Sequence, residues 1–346
     1  MQRRSLFVAA AVAAIMAIGA GAADAQKMLK LGSVGRPGVP LGDAMADGLV
    51  PATAKASGGQ LTIEGHYRGS ICGEQKCGEQ ANQGLIAIWS SSTANFGSFG
   101  TALSIFDLPY LFSSLDWANK ISDSWLGEAQ SKEAEKTTQH KVFEVFSSGG
   151  FRQLGNAARP VHEPKDMKGI KFRVTKSPIE YTLIKTWGAI PVPYDWLQLY
   201  QGLQTGVVEG QYVQVPWQEL YKMYEVQKYY TEVGGAWGGN HLSMDLNQYN
   251  DLTADEKMWL KAGTDAFSEM ARRLDSEWVA AGIEKIKAKI EEWYKPNDAE
   301  MELWRSGAVG AWADAKGAYD PKLAERALAE QGLDSFIDTL KKGGAL

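Results

Sequence analysis

From Leu29 onward, short alternating or wholly apolar runs take turns with stretches of helical spacing. Leu29-Lys-Leu-Gly-Ser33 reads as a first strand, and 35–38 is a turn-rich loop. Positions 41–56 place apolar residues on one helical face and stop at Gly58-Gly59. Residues 60–66 alternate like a strand, 79–84 are short and helical, and 85–90 form another strand. Strand, helix, strand, helix, strand in that order predicts a parallel sheet with helices on its faces. Phe106-Asp-Leu-Pro-Tyr-Leu-Phe112 is apolar and broken by Pro109; 116–135 reads as helix, 141–146 as strand and 147–150 as a flexible break. The alternation then restarts: strand 169–174, helix 177–187, extended 189–193, helix 197–205, strand 207–213 and a short helix 216–226. Residues 237–246 read as a strand returning to the first unit. Helical spacing dominates 253–293, where Gly282 interrupts without a stop signal, and again 299–340. The expected fold class is α/β, a two-lobe clamshell. Lobe I takes 26–149 and about 237–270; lobe II takes 150–236 and about 271–346.

The first residues set the compartment. Gln2-Arg3-Arg4 is a basic start, 6–22 are almost wholly apolar or small, and Ala23-Asp24-Ala25 offers small residues where a signal peptidase reads. Residues 1–25 are therefore expected to be a signal peptide cleaved after Ala25, which sends the chain to the periplasm. The run is short and Ala/Gly-rich for a membrane span, and no cysteine near the cleavage point offers a lipid anchor. The Arg3-Arg4 pair fits general and twin-arginine export alike. Lys and Arg total 36 against 41 Asp and Glu, a formal charge of −5. That balance gives no electrostatic footprint for nucleic acid and no pull toward an anionic membrane surface.

The chain has two cysteines, Cys72 and Cys77. In an oxidising compartment this spacing predicts a local disulfide. A metal site needs more ligands and only His66 is near in sequence, while the C-x-x-C redox motif has a different spacing. The four histidines have no metal-ligand spacing, and no cofactor is expected. There is no G-x-S-x-G elbow, H-E-x-x-H helix or P-loop, so the chain reads as a binder and not as an enzyme.

Met167-Lys-Gly-Ile-Lys-Phe-Arg-Val174 carries the candidate chemistry. Alternation puts Lys171 and Arg173 on one face and Ile170, Phe172 and Val174 on the other. A strand arginine is commonly solvated or salt-bridged; the sharper reading aims the planar fork of Arg173 into a cleft, where it takes a carboxylate bidentately. Ser91-Ser92-Thr93-Ala94-Asn95, just after a strand, offers hydroxyls and an amide from the first lobe. Trp89, Trp196, Trp217 and Trp237 bring aromatic surface, with His241 beside Trp237 as a further candidate for the cleft. Aromatics beside an arginine favour a flat or apolar ligand body.

With these residues in view, the chain resembles the DctP-type substrate-binding proteins of tripartite ATP-independent periplasmic (TRAP) transporters over nearly all of its expected mature length. The resemblance is carried by Phe106-Asp-Leu-Pro-Tyr-Leu-Phe112, Gly150-Phe-Arg-Gln153, Met167–Val174, Trp187-Gly-Ala-Ile-Pro-Val-Pro193, Leu199-Tyr-Gln-Gly-Leu-Gln-Thr-Gly206 and Val207-Val-Glu-Gly-Gln211, in order. It implies that Arg173 pairs with the ligand's carboxylate and that Arg152 is a supporting cation. It also implies that a long helix within about 253–293 crosses the backs of both lobes, and that the closed form docks on membrane permease subunits. One departure matters: Gly210-Gln-Tyr-Val-Gln-Val-Pro216 stands where the family carries GQENP, so the family's binding-site Asn falls at Val213, with Tyr212 or Gln214 able to fill the space. Similarly, the Glu before the Tyr of the family's EVYxALQ is Gln198 here.

The expected site is therefore Arg173, Arg152, Ser92, Thr93, Asn95, Tyr212, Gln214, Trp217, Trp237 and His241. The expected function is capture of a small organic anion, with an aromatic or apolar-bodied carboxylate ranked first, for a TRAP permease. A sensor for a signalling receptor, or a periplasmic enzyme, would be the alternatives.

Overall fold

A computed structural model describes residues 26–346, so the expected signal peptide lies outside the described residues. The strands are β1 (Lys27–Gly32), β2 (Leu61–His66), β3 (Ile88–Ser92), β4 (His140–Asn156), β5 (Lys171–Val174), β6 (Ile190–Pro193), β7 (Gly210–Gln214), β8 (Tyr229–Thr231), β9 (Trp237–Asp245) and β10 (Glu292–Tyr294). They pair in the order β2-β1-β3-β9-β4-β7-β5-β6, with β8 on β4 and β10 on β8. β1 runs parallel to β2 and β3, as the opening alternation requires. β9 lies antiparallel between β3 and β4. β5 runs parallel to β6 and β7, and β7 is antiparallel to β4.

β4 joins the two lobes. Its first half pairs with β9, and its second half with β7 and β8. The register shifts between Ser147 and Phe151, where Gly149 and Gly150 take φ of 96° and 75°. Only glycine adopts that backbone without strain, so the strand bends here and feeds the second sheet. What reads in sequence as a flexible break is a bend inside one continuous strand. Asp275 holds it from outside: its carboxylate accepts from the Gly149 N–H at 2.6 Å and the Ser147 hydroxyl at 2.5 Å.

Asp275 belongs to the longest helix, Ala254–Lys287, of 34 residues. A capping box closes its start, with Thr253 and Glu256 exchanging bonds with each other's backbone N–H. Phe267 meets Phe146 of β4 edge-on at 4.9 Å. Further on, Gly282 faces the helix Val215–Leu220 of the second lobe, and a methyl on it would lie 2.8 Å from Pro216 Cα. Gly282 is thus a contact point, which explains a glycine with no helix stop. The helix spans both lobes.

Several boundaries move. The long helix ends at Lys287, because 292–294 pair as β10. The stretch 116–135 splits into Leu115–Ser122 and Trp125–Thr137. The tail splits into Asp298–Asp314, Pro321–Glu330 and Asp334–Lys342, with Gly317 and Gly332 at positive φ between them. The first short helix begins at Glu74, not 79. Cys72 and Cys77 are joined by a disulfide. No helix among the described residues is long and apolar enough to cross a membrane.

Candidate functional site

Between the lobes lies a cavity of about 490 Å³ lined by Val34, Leu41, Glu74, Ser90, Ser91, Ser92, Asn95, Arg152, Arg173, Thr175, Trp196, Val213, Gln214, Trp217 and Asn240. Arg173 reaches it from β5. Phe172 and Val174, on the other face of that strand, are fully buried in the second lobe's core. Alternation thus gives one face to packing and the other to the cavity. Arg152 comes from β4 and is paired in register with Gln214 of β7.

The two guanidiniums dominate the electrostatics. Arg173 is 2% exposed and Arg152 4%. Arg173 Nε donates to the Tyr194 carbonyl at 3.0 Å, and Arg152 donates from one terminal nitrogen to the Tyr212 carbonyl at 3.2 Å. The Arg173 guanidinium lies 5.8 Å from the Trp196 ring centre, a cation–π distance. Among the described residues, neither arginine has a carboxylate within 4.0 Å. Burial pulls the Arg173 pKa below its usual value, Glu180 and Glu74 pull it back, and the like charge of Arg152 lowers it further. An arginine stays charged through such shifts. Two buried positive charges without an ion-pair partner are costly, and an entering anion removes that cost.

Behind Arg152 sits a second, smaller polar space with Asp107, Glu180 and Tyr212. Thr93 donates to Asp107 at 2.7 Å and Ser177 at 3.4 Å. Burial pushes the Asp107 carboxyl up to about 7, against the Thr93 bond and the charge of Arg152. With its proton on, Asp107 adds no negative charge beside Arg152.

On the first-lobe side, Glu74 is the one carboxylate among the described residues that lines the cavity. It accepts from Ser92 N at 2.9 Å, Ser91 Oγ at 3.3 Å and Asn95 Nδ2 at 2.7 Å. Asn95 Oδ1 in turn accepts from Lys176 N of the second lobe at 3.4 Å. Trp217 donates its indole N–H to the Ser148 carbonyl at 3.0 Å and meets Trp278 edge-on at 5.1 Å. With Trp196 it forms an apolar wall beside Arg173.

The structure thus brings Arg173, Arg152, Ser92, Asn95, Gln214 and Trp217 around one cavity. Four expected residues lie elsewhere. Thr93 is turned onto Asp107, behind the cavity. Tyr212 faces away from the cavity and packs edge-on against Trp187 at 5.6 Å. Gln214, the last residue of β7, and Val213 face the space instead. Trp237 is core, packed on Phe106 at 5.8 Å and Phe112 at 5.5 Å. His241 is fully buried between Trp89 at 4.4 Å and Phe96 at 4.9 Å, with Nδ1 on Ser243 Oγ at 2.7 Å. Burial, with the neighbouring His140, holds its pKa well below the usual value, so it is neutral and structural. Its strand neighbour Asn240 takes the cavity face. Sequence reasoning missed Glu74 because the helix was expected to start at 79. Its position inside the bridged loop was the signal that could have found it.

A wider groove, about 1770 Å³, lies beside Tyr110 and Arg305. Its charges are mixed in sign, with Lys295 3.8 Å from Glu232, so it has nothing like the two buried arginines.

Comparison with known proteins bears on the family and the fold. Residues 31–316 match the family described as bacterial extracellular solute-binding protein, family 7, named DctP. The 2,3-diketo-L-gulonate-binding periplasmic protein YiaO of Escherichia coli is 27% identical over 268 residues, 76% of this chain and 73% of that protein. The C4-dicarboxylate-binding periplasmic protein DctP of Rhodobacter capsulatus is 25% identical over 282 residues, 80% of this chain and 83% of that one. A TRAP periplasmic solute-binding protein from Shewanella oneidensis, solved with bound succinate, superposes with a TM-score of 0.82 at 22% identity, covering 88% of this chain and 99% of that one.

Proposed function

The chain belongs to the bacterial extracellular solute-binding proteins of family 7, and from that premise we propose that it captures a small organic acid between its lobes with Arg173 as the principal cation. The single observation that carries this is a pair of guanidiniums, 2% and 4% exposed, lining one interlobe cavity with no carboxylate among the described residues within ion-pair distance. The planar fork of Arg173, held at Nε by the Tyr194 carbonyl, keeps its two terminal nitrogens for the two oxygens of a carboxylate. Arg152 adds a second positive charge. Ser92, Asn95 and Gln214 supply neutral polar contacts, and Glu74 accepts from a donor on the ligand. Trp196 and Trp217 give the ligand's body an apolar wall, which favours an aromatic or otherwise apolar-bodied carboxylate.

Lobe I is taken as 26–149 with about 237–270, and lobe II as the remainder, so that the chain crosses between them within β4, just ahead of β9 and within the long helix. The protein works in the periplasm, hands its acid to TRAP membrane permease subunits and leaves the acid chemically unchanged. The carboxylate relatives support this reading.

The test is a thermal-shift screen of small organic acids, then calorimetry of the best binder on wild type and on Arg173→Ala. A ligand at a hundred times its Kd adds about 2.7 kcal/mol to apparent stability, an easily read shift. The alanine variant is expected to fold and to lose roughly 30-fold or more in affinity, the scale of breaking one buried charge pair. Unaltered affinity in that variant would remove Arg173 from the role.

A further inference from the structure

The loop closed by the disulfide is also the loop that presents the cavity's carboxylate. Glu74 lies between the bridged residues, in the first turn of the helix Glu74–Asn82. Cys72 is 4% exposed and Cys77 fully buried. The bridge is wedged against the end of β1, since a methyl on Gly32 would lie 2.8 Å from Cys72 Sγ and 3.1 Å from Cys77 Sγ. The loop's placement therefore depends on the bridge and its seat, and the Glu74 carboxylate travels with the loop.

That carboxylate is aimed. Three donors hold it, Ser91 Oγ, Ser92 N and Asn95 Nδ2. A carboxylate accepts about four hydrogen bonds, so room for one further donor remains on the cavity side. The same loop meets the second lobe: methyls on Gly69 and Gly73 would lie 3.0 Å and 3.6 Å from Leu197 Cδ1. Leu197 adjoins Trp196, which stacks over Arg173. The bridged loop and the two arginines thus line one cavity, the loop bringing an acceptor and the second lobe the cations.

We propose that the Cys72–Cys77 bridge is a positioning element of the binding site. It fixes Glu74 to accept from a hydroxyl or amino group placed opposite the ligand's carboxylate, so preference for donor-bearing acids depends on the intact bridge. The inference rests on the organic-acid reading of the cavity. An acid without such a donor leaves the fourth acceptor position dry and unpaired, which discriminates more strongly than a missing apolar contact does.

The experiment uses two matched pairs, benzoate with 4-hydroxybenzoate and succinate with malate, on four proteins: wild type, Glu74→Gln, Cys72→Ser/Cys77→Ser, and the combined variant. Calorimetry gives the affinity ratio within each pair. Hydrogen exchange, without ligand, gives the protection of the Ser92 amide, which donates to Glu74. In wild type the hydroxylated member of at least one pair is expected to bind roughly 10-fold more tightly, the scale of one hydrogen bond to a charged group. Opening the bridge should collapse that ratio and quicken Ser92 exchange, while the Leu242 amide on β9 keeps its protection. In the Glu74→Gln background, opening the bridge should change the ratio no further, the non-additivity of two changes acting through one contact. A purely structural bridge would lower stability and leave ratio and Ser92 exchange alone; that result overturns the proposal. If the cysteine variant does not fold, wild type reduced in place carries the same comparison. If none of the four acids binds, the organic-acid reading falls, and Ser92 exchange alone decides the positioning: quickened exchange upholds it and unchanged exchange overturns it.

Discussion

A charged side chain taken out of water needs an opposite charge or a set of hydrogen bonds. Partly exposed groups here form ion pairs, as Arg272 does with Asp123 and Lys141 with Glu135 at 2.6 Å. Arg173 and Arg152 are the buried cations among the described residues, each with one hydrogen bond to a backbone carbonyl and no ion pair. Asp107 is the complementary case, a carboxylate buried with too few donors, whose pKa rises from near 3.8 to about 7. The sign of the linkage follows. The folded state holds this proton over a pH range where the unfolded chain has lost it. The resulting stability is present below about pH 4 and lost as pH rises through about 7. Arg152, Glu180, Thr93, Ser177 and Tyr212 face the carboxyl, and Asn at 107 keeps the shape without the titration. The melting temperature of wild type minus that of Asp107→Asn should therefore fall between about pH 5 and about pH 8. A difference flat across that range would contradict the assignment.

The residue scale is also where sequence reading was sharpest and weakest. Alternation placed Arg173 opposite Phe172 and Val174 because the apolar members of that strand mark the core face without ambiguity. It could not do so for Asn240 and His241, because both faces of β9 are buried. With no polar face to set the phase, the neighbouring histidine was chosen in place of the asparagine. Tyr212 failed for the same reason, since all of β7 is buried.

At the scale of elements, the order of strands and helices was legible and the joints were not. A helix announces itself over many residues, whereas the bend in β4 needs only two glycines and a distant partner. Asp275, 126 positions from Gly149 in sequence, supplies that partner, and no local pattern reveals it. The short strands β8 and β10 were missed because three residues are too few to show a period, and both depend on distant partners, β8 on β4 and β10 on β8. The contact has a measurable price. Asp275→Ala strips a buried N–H and a hydroxyl of their acceptor, which costs roughly 1–3 kcal/mol. Urea unfolding should show a lower midpoint, with the melting temperature down by several degrees. An unchanged midpoint would mean that the bend is held by the glycines alone.

For the molecule as a whole, two sheets share a long strand, a helix lies across both, and the cavity forms where their faces meet. Contacts such as Lys176 N with Asn95 Oδ1 at 3.4 Å, Ser177 Oγ with Asp107 at 3.4 Å and Leu197 against the bridged loop cross the cleft. That arrangement suits a hinge closing on a small ligand. The clamshell plan was readable from the doubled α/β pattern. The identity of the walls was not, because each wall is assembled from segments far apart in the chain. The most direct measurement is a crystal structure with the tightest acid from the screen. The carboxylate is expected to lie with both oxygens within about 3.2 Å of the terminal nitrogens of Arg173, with the ligand's body between Trp196 and Glu74. The same acid bound in the wider groove beside Tyr110, or lying in the cavity with its carboxylate turned away from Arg173, would contradict the reading.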